Sequence, residues 1–120
     1  MVGNPEFGKR IRDLREAKKI AAPKFSLRQF AQAAGISATY LSKVETGDFV
    51  PPAPETIKKM AALLDTDADE LLAIAGKVDP DLSKIIMEQP KAMADFLRVA
   101  HGLSEEDIQK LTEQIRVKKE

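Results

Sequence analysis

The sequence predicts an all-α fold, on three observations. All apolar periodicity in the 120 residues has steps of three and four, the spacing of an amphipathic helix, and no strand pattern is visible. Residues that start and stop helices recur along the chain at short intervals. Apolar residues make up 43% of the chain and charged residues 32%, an ordinary globular composition. The length suits one domain with an appendage.

Helix one is predicted from Pro5 to Lys19, because proline is favoured in a first helical turn and an apolar stripe follows. The stripe consists of Phe7, Ile11 and Leu14. Residues 20–24 break the pattern and predict a loop. Helix two is predicted to start after Ser26, which forms a capping box with Gln29, and to end at Gly35.

Helix three follows at once. Ser37 is a second N-cap only two residues after Gly35, and it predicts a helix over residues 38–46 that stops at Gly47. Two short helices so close together form a tight corner. Pro54 and Asp67 mark two more helix starts, which closes a five-helix unit at about residue 78.

The last part of the chain is also predicted to be helical, with starts at Pro80, Pro90 and Ser104. Each of these helices has an apolar stripe that needs burial on this domain or on a second subunit. The stripes comprise Leu82, Ile85 and Ile86; Met93, Phe96 and Leu97; and Ile108, Leu111 and Ile115. We therefore expect a domain over residues 1–78 and a C-terminal helical extension over residues 79–120, which is a candidate dimerisation segment.

Composition argues against an enzyme. The chain has no cysteine, one histidine, one tyrosine and no tryptophan, so no catalytic cluster, metal site or cofactor site is predicted. The longest apolar runs are five residues, far short of a membrane helix, and no secretory signal is readable, so a cytoplasmic protein is expected. The net charge is zero, but residues 1–50 hold nine Lys/Arg against five Asp/Glu. A basic front half is compatible with nucleic-acid binding.

The most informative segment is Ser26–Gly47, SLRQFAQAAGISATYLSKVETG, a helix, a four-residue turn and a second helix. At these residues, and in FGKRIRDLREAK and MAALLDTDADELL on either side, the chain resembles the Xre family of phage-repressor-like helix-turn-helix domains. The match covers about Phe7 to Gly76. The resemblance implies a five-helix domain that binds a double-stranded DNA operator, usually as a homodimer, and regulates transcription, most often as a repressor.

Residues of helix three are the expected DNA contacts. If Leu41 and Val44 face the core, positions 38, 39, 42 and 43 point outward into the major groove. In the family the start of helix three reads bases, and the exposed amides at the start of helix two clamp a phosphate. The expected DNA-contacting residues are Ser26, Arg28, Ser37, Ala38, Thr39, Tyr40, Ser42, Lys43 and Thr46.

Arg15 and Glu45 match a pair that forms a buried salt bridge in the family, where it would fix the orientation of helix three. Three features depart from the family. The connection over residues 20–25 is longer than usual, Leu27 replaces a phosphate-contacting Gln, and residues 48–53 offer no basic side chain. With zero net charge, these departures predict modest non-specific affinity for DNA and a shallow salt dependence.

Other functions remain open on the same domain. An antitoxin would use the DNA-binding domain together with a protein partner bound through residues 79–120, and a restriction-system controller protein is a related alternative. A neighbouring gene for a small toxin would indicate an antitoxin, and the gene neighbourhood would likewise identify a restriction-system controller protein.

Overall fold

The structure, a computed structural model, describes residues 3–120, and this part of the chain is helical without a strand. The predicted all-α fold is confirmed. The helices are α1 (Pro5–Lys19), α2 (Leu27–Ala34), α3 (Ala38–Glu45), α4 (Pro54–Leu63), α5 (Ala68–Ile74), α6 (Pro80–Glu88), α7 (Pro90–Ala100) and α8 (Glu105–Lys119), with one 3₁₀ turn, Pro23–Phe25. The chain divides into two compact units, the first ending at Pro80 and the second formed by Asp81–Glu120.

Helix starts follow local capping chemistry, as predicted. The side chains of Ser26, Ser37, Asp67 and Ser104 each accept a hydrogen bond from the backbone N–H three residues later. Asn4, which the sequence analysis did not single out, caps α1 in the same way, its Oδ1 accepting from the N–H of Phe7 at 2.9 Å. Each cap satisfies a backbone donor that the first helical turn would otherwise leave unpaired.

The connection between α1 and α2 differs from the predicted loop over residues 20–24. Its second half is a 3₁₀ turn, in which the N–H of Phe25 donates to the carbonyl of Ala22 at 3.1 Å. The physical reason is Pro23, whose ring presets the backbone for a helical first position. The N–H of Ser26 then donates to the carbonyl of Pro23 at 2.9 Å, so the reciprocal half of the predicted capping box is replaced by a backbone bond.

The core of the first unit is built from all five of its helices and the 3₁₀ turn. The largest side chains in it are less than 3% exposed and interlock between α1, α2, α3, α4 and α5. They are Phe7, Ile11, Phe30, Leu41, Val44, Ile57, Met60, Leu64, Leu71 and Leu72. Phe25 joins this core from the 3₁₀ turn, with its ring centroid 6.3 Å from that of Phe30.

The second unit has no comparable core. None of the residues of α6, α7 or α8 is buried, and large apolar side chains of all three helices stay about half exposed. They include Leu82, Ile85, Phe96, Leu97, Ile108, Leu111 and Ile115. Large exposed apolar side chains at regular helical spacing are typical of a surface that binds a partner.

Helices α1 and α3 approach each other closely at Gly8. A Cβ atom placed at Gly8 would lie 2.2 Å from the carbonyl oxygen of Val44 and 2.7 Å from that of Glu45. Both contacts are to backbone, which cannot swing aside as a side chain can. Gly8 therefore sets the distance between α1 and the C-terminal turn of α3.

We expect Gly8→Ala to lower the free energy of unfolding by about 1–3 kcal/mol, the usual cost of overpacking a core. In an ordinary helix interior the same change would stabilise by about 1 kcal/mol, so the sign alone tests the close approach. Urea denaturation provides the measurement, with the exposed Arg12→Ala in the same helix as a control. A Gly8→Ala variant more stable than the parent would contradict this packing.

Candidate nucleic-acid interface

The corner between α2 and α3 is fixed by backbone hydrogen bonds. Gly35 adopts the left-handed conformation (φ 80°), where a residue with a side chain would be strained. This conformation lets the N–H of Ile36 turn back to the carbonyl of Ala31 at 3.0 Å, which closes the C-terminal end of α2. Ser37 then caps α3 with its hydroxyl, which accepts from the N–H of Tyr40 at 3.0 Å. The two helices consequently meet at a defined angle.

Helix α3 is supported from behind and open in front. Leu41 and Val44 are at most 1% exposed and pack into the core against α1 and α2. Thr39 and Lys43, on the other side of the helix, are exposed. Among the described residues, none covers these two side chains, so α3 can enter a groove of a binding partner with Thr39 and Lys43 in front.

Arg15 forms the buried ion pair that the family resemblance implies. Its Nε lies 2.8 Å from Glu45 Oε2 and its Nη2 lies 2.9 Å from Glu45 Oε1, a bidentate arrangement between α1 and α3. Arg15 is 4% exposed and Glu45 is 8% exposed. The hydrogen bond with Glu45 is the main cause that raises the pKa of Arg15 above its ordinary value. The guanidinium is thus a permanent, fully paired charge.

The same guanidinium reaches a third segment. Arg15 Nη1 donates to the carbonyl oxygen of Phe25 at 3.1 Å, which ties the 3₁₀ turn to α1. The sequence analysis missed this bond, because a backbone acceptor in an irregular turn carries no residue-type signal. Phe25 and Phe30 occupy the two positions of a hydrophobic staple around the Ser26 cap, and this spacing is a local sequence signal that the turn packs against the core.

Several hydroxyl groups among the predicted DNA contacts already have partners within the chain. The oxygens of Ser26 and Ser37 serve as helix caps. The hydroxyl of Tyr40 donates to the carbonyl of Val50 at 2.9 Å, and its ring lies 6.1 Å from that of Phe49. Burial raises the pKa of the Tyr40 phenol above its ordinary value. Such groups can still accept a hydrogen bond from a ligand, but Tyr40 also has a clear structural role.

The other predicted contacts are placed as follows. Thr46 Oγ1 lies 3.1 Å from the carbonyl of Lys43 and 2.9 Å from Asp48 Oδ2, so its proton is engaged at the end of α3. Ala38 and Ser42 are half-buried beside the core-facing positions. Arg28 is exposed in the first turn of α2. The side chains free to approach a ligand are therefore chiefly those of Thr39, Lys43 and Arg28.

This corner and the helices around it define a helix-turn-helix domain. A family model described as a helix-turn-helix domain matches residues 6–74, more than half of the chain. The chain belongs to that family, which confirms the helix-turn-helix expectation.

Two curated relatives, both from Bacillus subtilis (strain 168), resemble this domain. The uncharacterized HTH-type transcriptional regulator RghRB is 40% identical over 72 residues, which are 60% of this chain and 48% of that protein. The HTH-type transcriptional repressor RghR is 36% identical over 73 residues, which are 61% of this chain and 50% of that protein. The chain thus spans about half the length of the curated relatives it matches.

One solved structure, of the SinR protein/SinI protein complex, matches with a TM-score of 0.48 and 23% sequence identity, covering 94% of this chain and 97% of that one. Among residues 3–120, no helix combines the length and the apolar character that crossing a membrane requires.

The buried ion pair yields a test of how α3 is held. We expect Arg15→Met to lower the free energy of unfolding by about 3–5 kcal/mol, because it leaves the Glu45 carboxylate buried without a partner. The double variant Arg15→Met/Glu45→Leu removes both charges, and its loss of stability should be smaller than the sum of the losses in Arg15→Met and Glu45→Leu. Urea denaturation of the parent, the two single variants and the double variant measures the coupling. Strictly additive effects would contradict a coupled pair, and Lys9→Met, at an exposed ion pair with Asp13, is the control.

Proposed function

We propose that this chain is a sequence-specific double-stranded DNA-binding transcriptional regulator that occupies an operator and acts as a repressor. The observation that carries the proposal is the exposed side of α3, with Thr39 and Lys43 accessible on a helix held rigidly from behind. Both relatives are named as transcriptional regulators, and one of them as a repressor. Because both relatives come from a bacterium, the proposed site of action is the cytoplasm.

The chemistry of α3 suits the major groove of DNA. That groove is about 12 Å wide and admits one helix, and each base pair presents a distinct pattern of donors and acceptors there. Lys43 can donate to O6 and N7 of guanine, and the methyl group of Thr39 can pack on a thymine methyl. Because α3 is fixed by the core, by Arg15 and by the Tyr40 hydroxyl, little of its motion has to be lost on binding.

The amino-terminal end of α2 supports the backbone contact. In helix-turn-helix complexes the second helix lies in the groove and the first crosses the sugar–phosphate backbone. Arg28 is exposed in the first turn of α2, where the helix N-terminus favours an anion. We assign Arg28 and the amides following Ser26 to a phosphate, and Ala38, Thr39, Ser42 and Lys43 to base edges or the groove wall.

The first experiment is selection of bound duplexes from random DNA, followed by binding assays on the selected site. Thr39→Ala and Lys43→Ala should each weaken binding by about 1–3 kcal/mol, roughly 5- to 150-fold in Kd, because each removes a contact to a base edge. Thr66→Ala, in the connection between α4 and α5, is a control that should bind like the parent. If Thr39→Ala and Lys43→Ala, both folded by circular dichroism, bind like the parent protein, α3 is not the reading element.

We further propose that the second unit makes the chain a homodimer. Support comes from its exposed apolar side chains and from the lack of any buried residue in α6, α7 and α8. Three helices without a core of their own are expected to bury these faces against another surface. A two-fold dimer would place two α3 helices about 34 Å apart, or a multiple of this, on a pseudo-palindromic site.

Light scattering coupled to size exclusion tests the dimer. We expect twice the 13.2 kDa mass of the chain at micromolar concentration, and a shift to the monomer mass in Phe96→Asp. Lys91→Asp in the same helix changes charge without touching the apolar stripe and should remain dimeric. A 13.2 kDa particle for the parent protein would rule out the free dimer and favour a different protein partner at residues 79–120.

A further inference from the structure

The connection between α1 and α2 is a fixed part of the first unit. Phe25 is 8% exposed, its ring packs near Phe30, and its carbonyl accepts from the buried Arg15 guanidinium at 3.1 Å. Residues 23–25 are also held by backbone hydrogen bonds to Ala22 and Ser26. Side chains carried by this segment therefore have a defined place relative to α2.

Two lysine ammonium groups lie close to the ring of Phe25 in this connection. Lys18 Nζ lies 5.7 Å from the centroid of the Phe25 ring, and Lys24 Nζ lies 5.5 Å from it. An aromatic face attracts a cation at this distance and holds it without neutralising it. Neither lysine takes part in the salt bridges found among residues 3–120. Two positive charges thus share one aromatic support, one of them two residues before the N-cap of α2.

We infer that Lys18 and Lys24, supported by Phe25, form an accessory binding site for phosphates of the DNA backbone. The inference rests on the proposed function and deepens it. Helix α2 is the element expected to cross the backbone, and Lys24 adjoins the end of α2 that favours an anion. Lysine binds phosphate as a flexible point charge, which suits a contact that is independent of base sequence.

Other segments near α3 offer few groups that could bind a phosphate. The connection between α3 and α4 has only the acidic Asp48 as a charged residue, and Phe49 and Val50 are exposed there. Leu27, at the first position of α2, cannot donate a hydrogen bond from its side chain. The α3–α4 connection therefore supplies no cation for a backbone contact, whereas the α1–α2 side supplies Lys18, Lys24 and Arg28.

The test is the salt dependence of binding to the selected duplex, measured by fluorescence anisotropy between about 50 and 200 mM salt. The logarithm of the binding constant falls with the logarithm of the salt concentration, and each phosphate contact adds about 0.9 to the steepness of this fall. We expect Lys18→Gln and Lys24→Gln each to reduce the steepness by about that amount, on the selected duplex and on random DNA alike. Lys24→Arg retains the charge and should retain the slope. Circular dichroism checks that each variant is folded.

The matched control is Lys9→Gln, which removes one charge from an exposed lysine ion-paired with Asp13 at 2.7 Å. An unchanged slope in Lys18→Gln and Lys24→Gln, with Thr39→Ala still weakening binding, would overturn the accessory site alone. An equal loss in Lys9→Gln would also overturn it, because overall charge would then explain the effect. If the parent protein binds no duplex, the proposed function fails and the accessory site with it.

Discussion

The guanidinium of Arg15 is the constraint on which the first unit depends. It is buried and always charged, so its donors need acceptors, and it finds them in Glu45 of α3, in the carbonyl of Phe25 and in the neighbouring Glu16. A single side chain thereby sets the orientation of α3 and the position of the connection that precedes α2. A lysine in its place would offer a point charge without the planar fork that joins two carboxylate oxygens.

Holding α3 rigidly uses much of the polar chemistry that could otherwise contact DNA. Ser37 caps the helix, Thr46 closes its end, and the Tyr40 hydroxyl fastens it to Val50. These bonds keep the backbone satisfied and leave few side chains to read bases. In the proposed complex with DNA, specificity would depend on a small number of well-placed groups, and the remaining affinity would come from cations that contact phosphates. The groups proposed to read bases and those proposed to contact phosphates lie on neighbouring parts of one domain, on α3 and near the start of α2.

Local signals in the sequence were sufficient for the helices and insufficient for the contacts between them. Caps such as Ser26 and Ser37 act on backbone groups three residues away, so their spacing can be recognised directly. The Arg15–Glu45 pair was predicted only because the chain resembles a known family. The close approach at Gly8 depends on carbonyl groups more than 30 positions later in the chain, and a glycine inside a helix looks merely unfavourable when read alone. The lysines near Phe25 likewise come together through a turn that was predicted as a loop.

A dimer would resolve an apparent conflict between charge and specificity in this chain. Non-specific affinity for DNA grows with the number of phosphates neutralised, whereas discrimination grows with contacts to base edges. The chain has no net charge, and its last 42 residues hold seven Lys/Arg against nine Asp/Glu. Joining two chains through those residues doubles the number of reading helices and still leaves the assembly neutral. The protein would gain selectivity for a two-fold site, while the zero net charge of the assembly would keep its long-range attraction to competing DNA low.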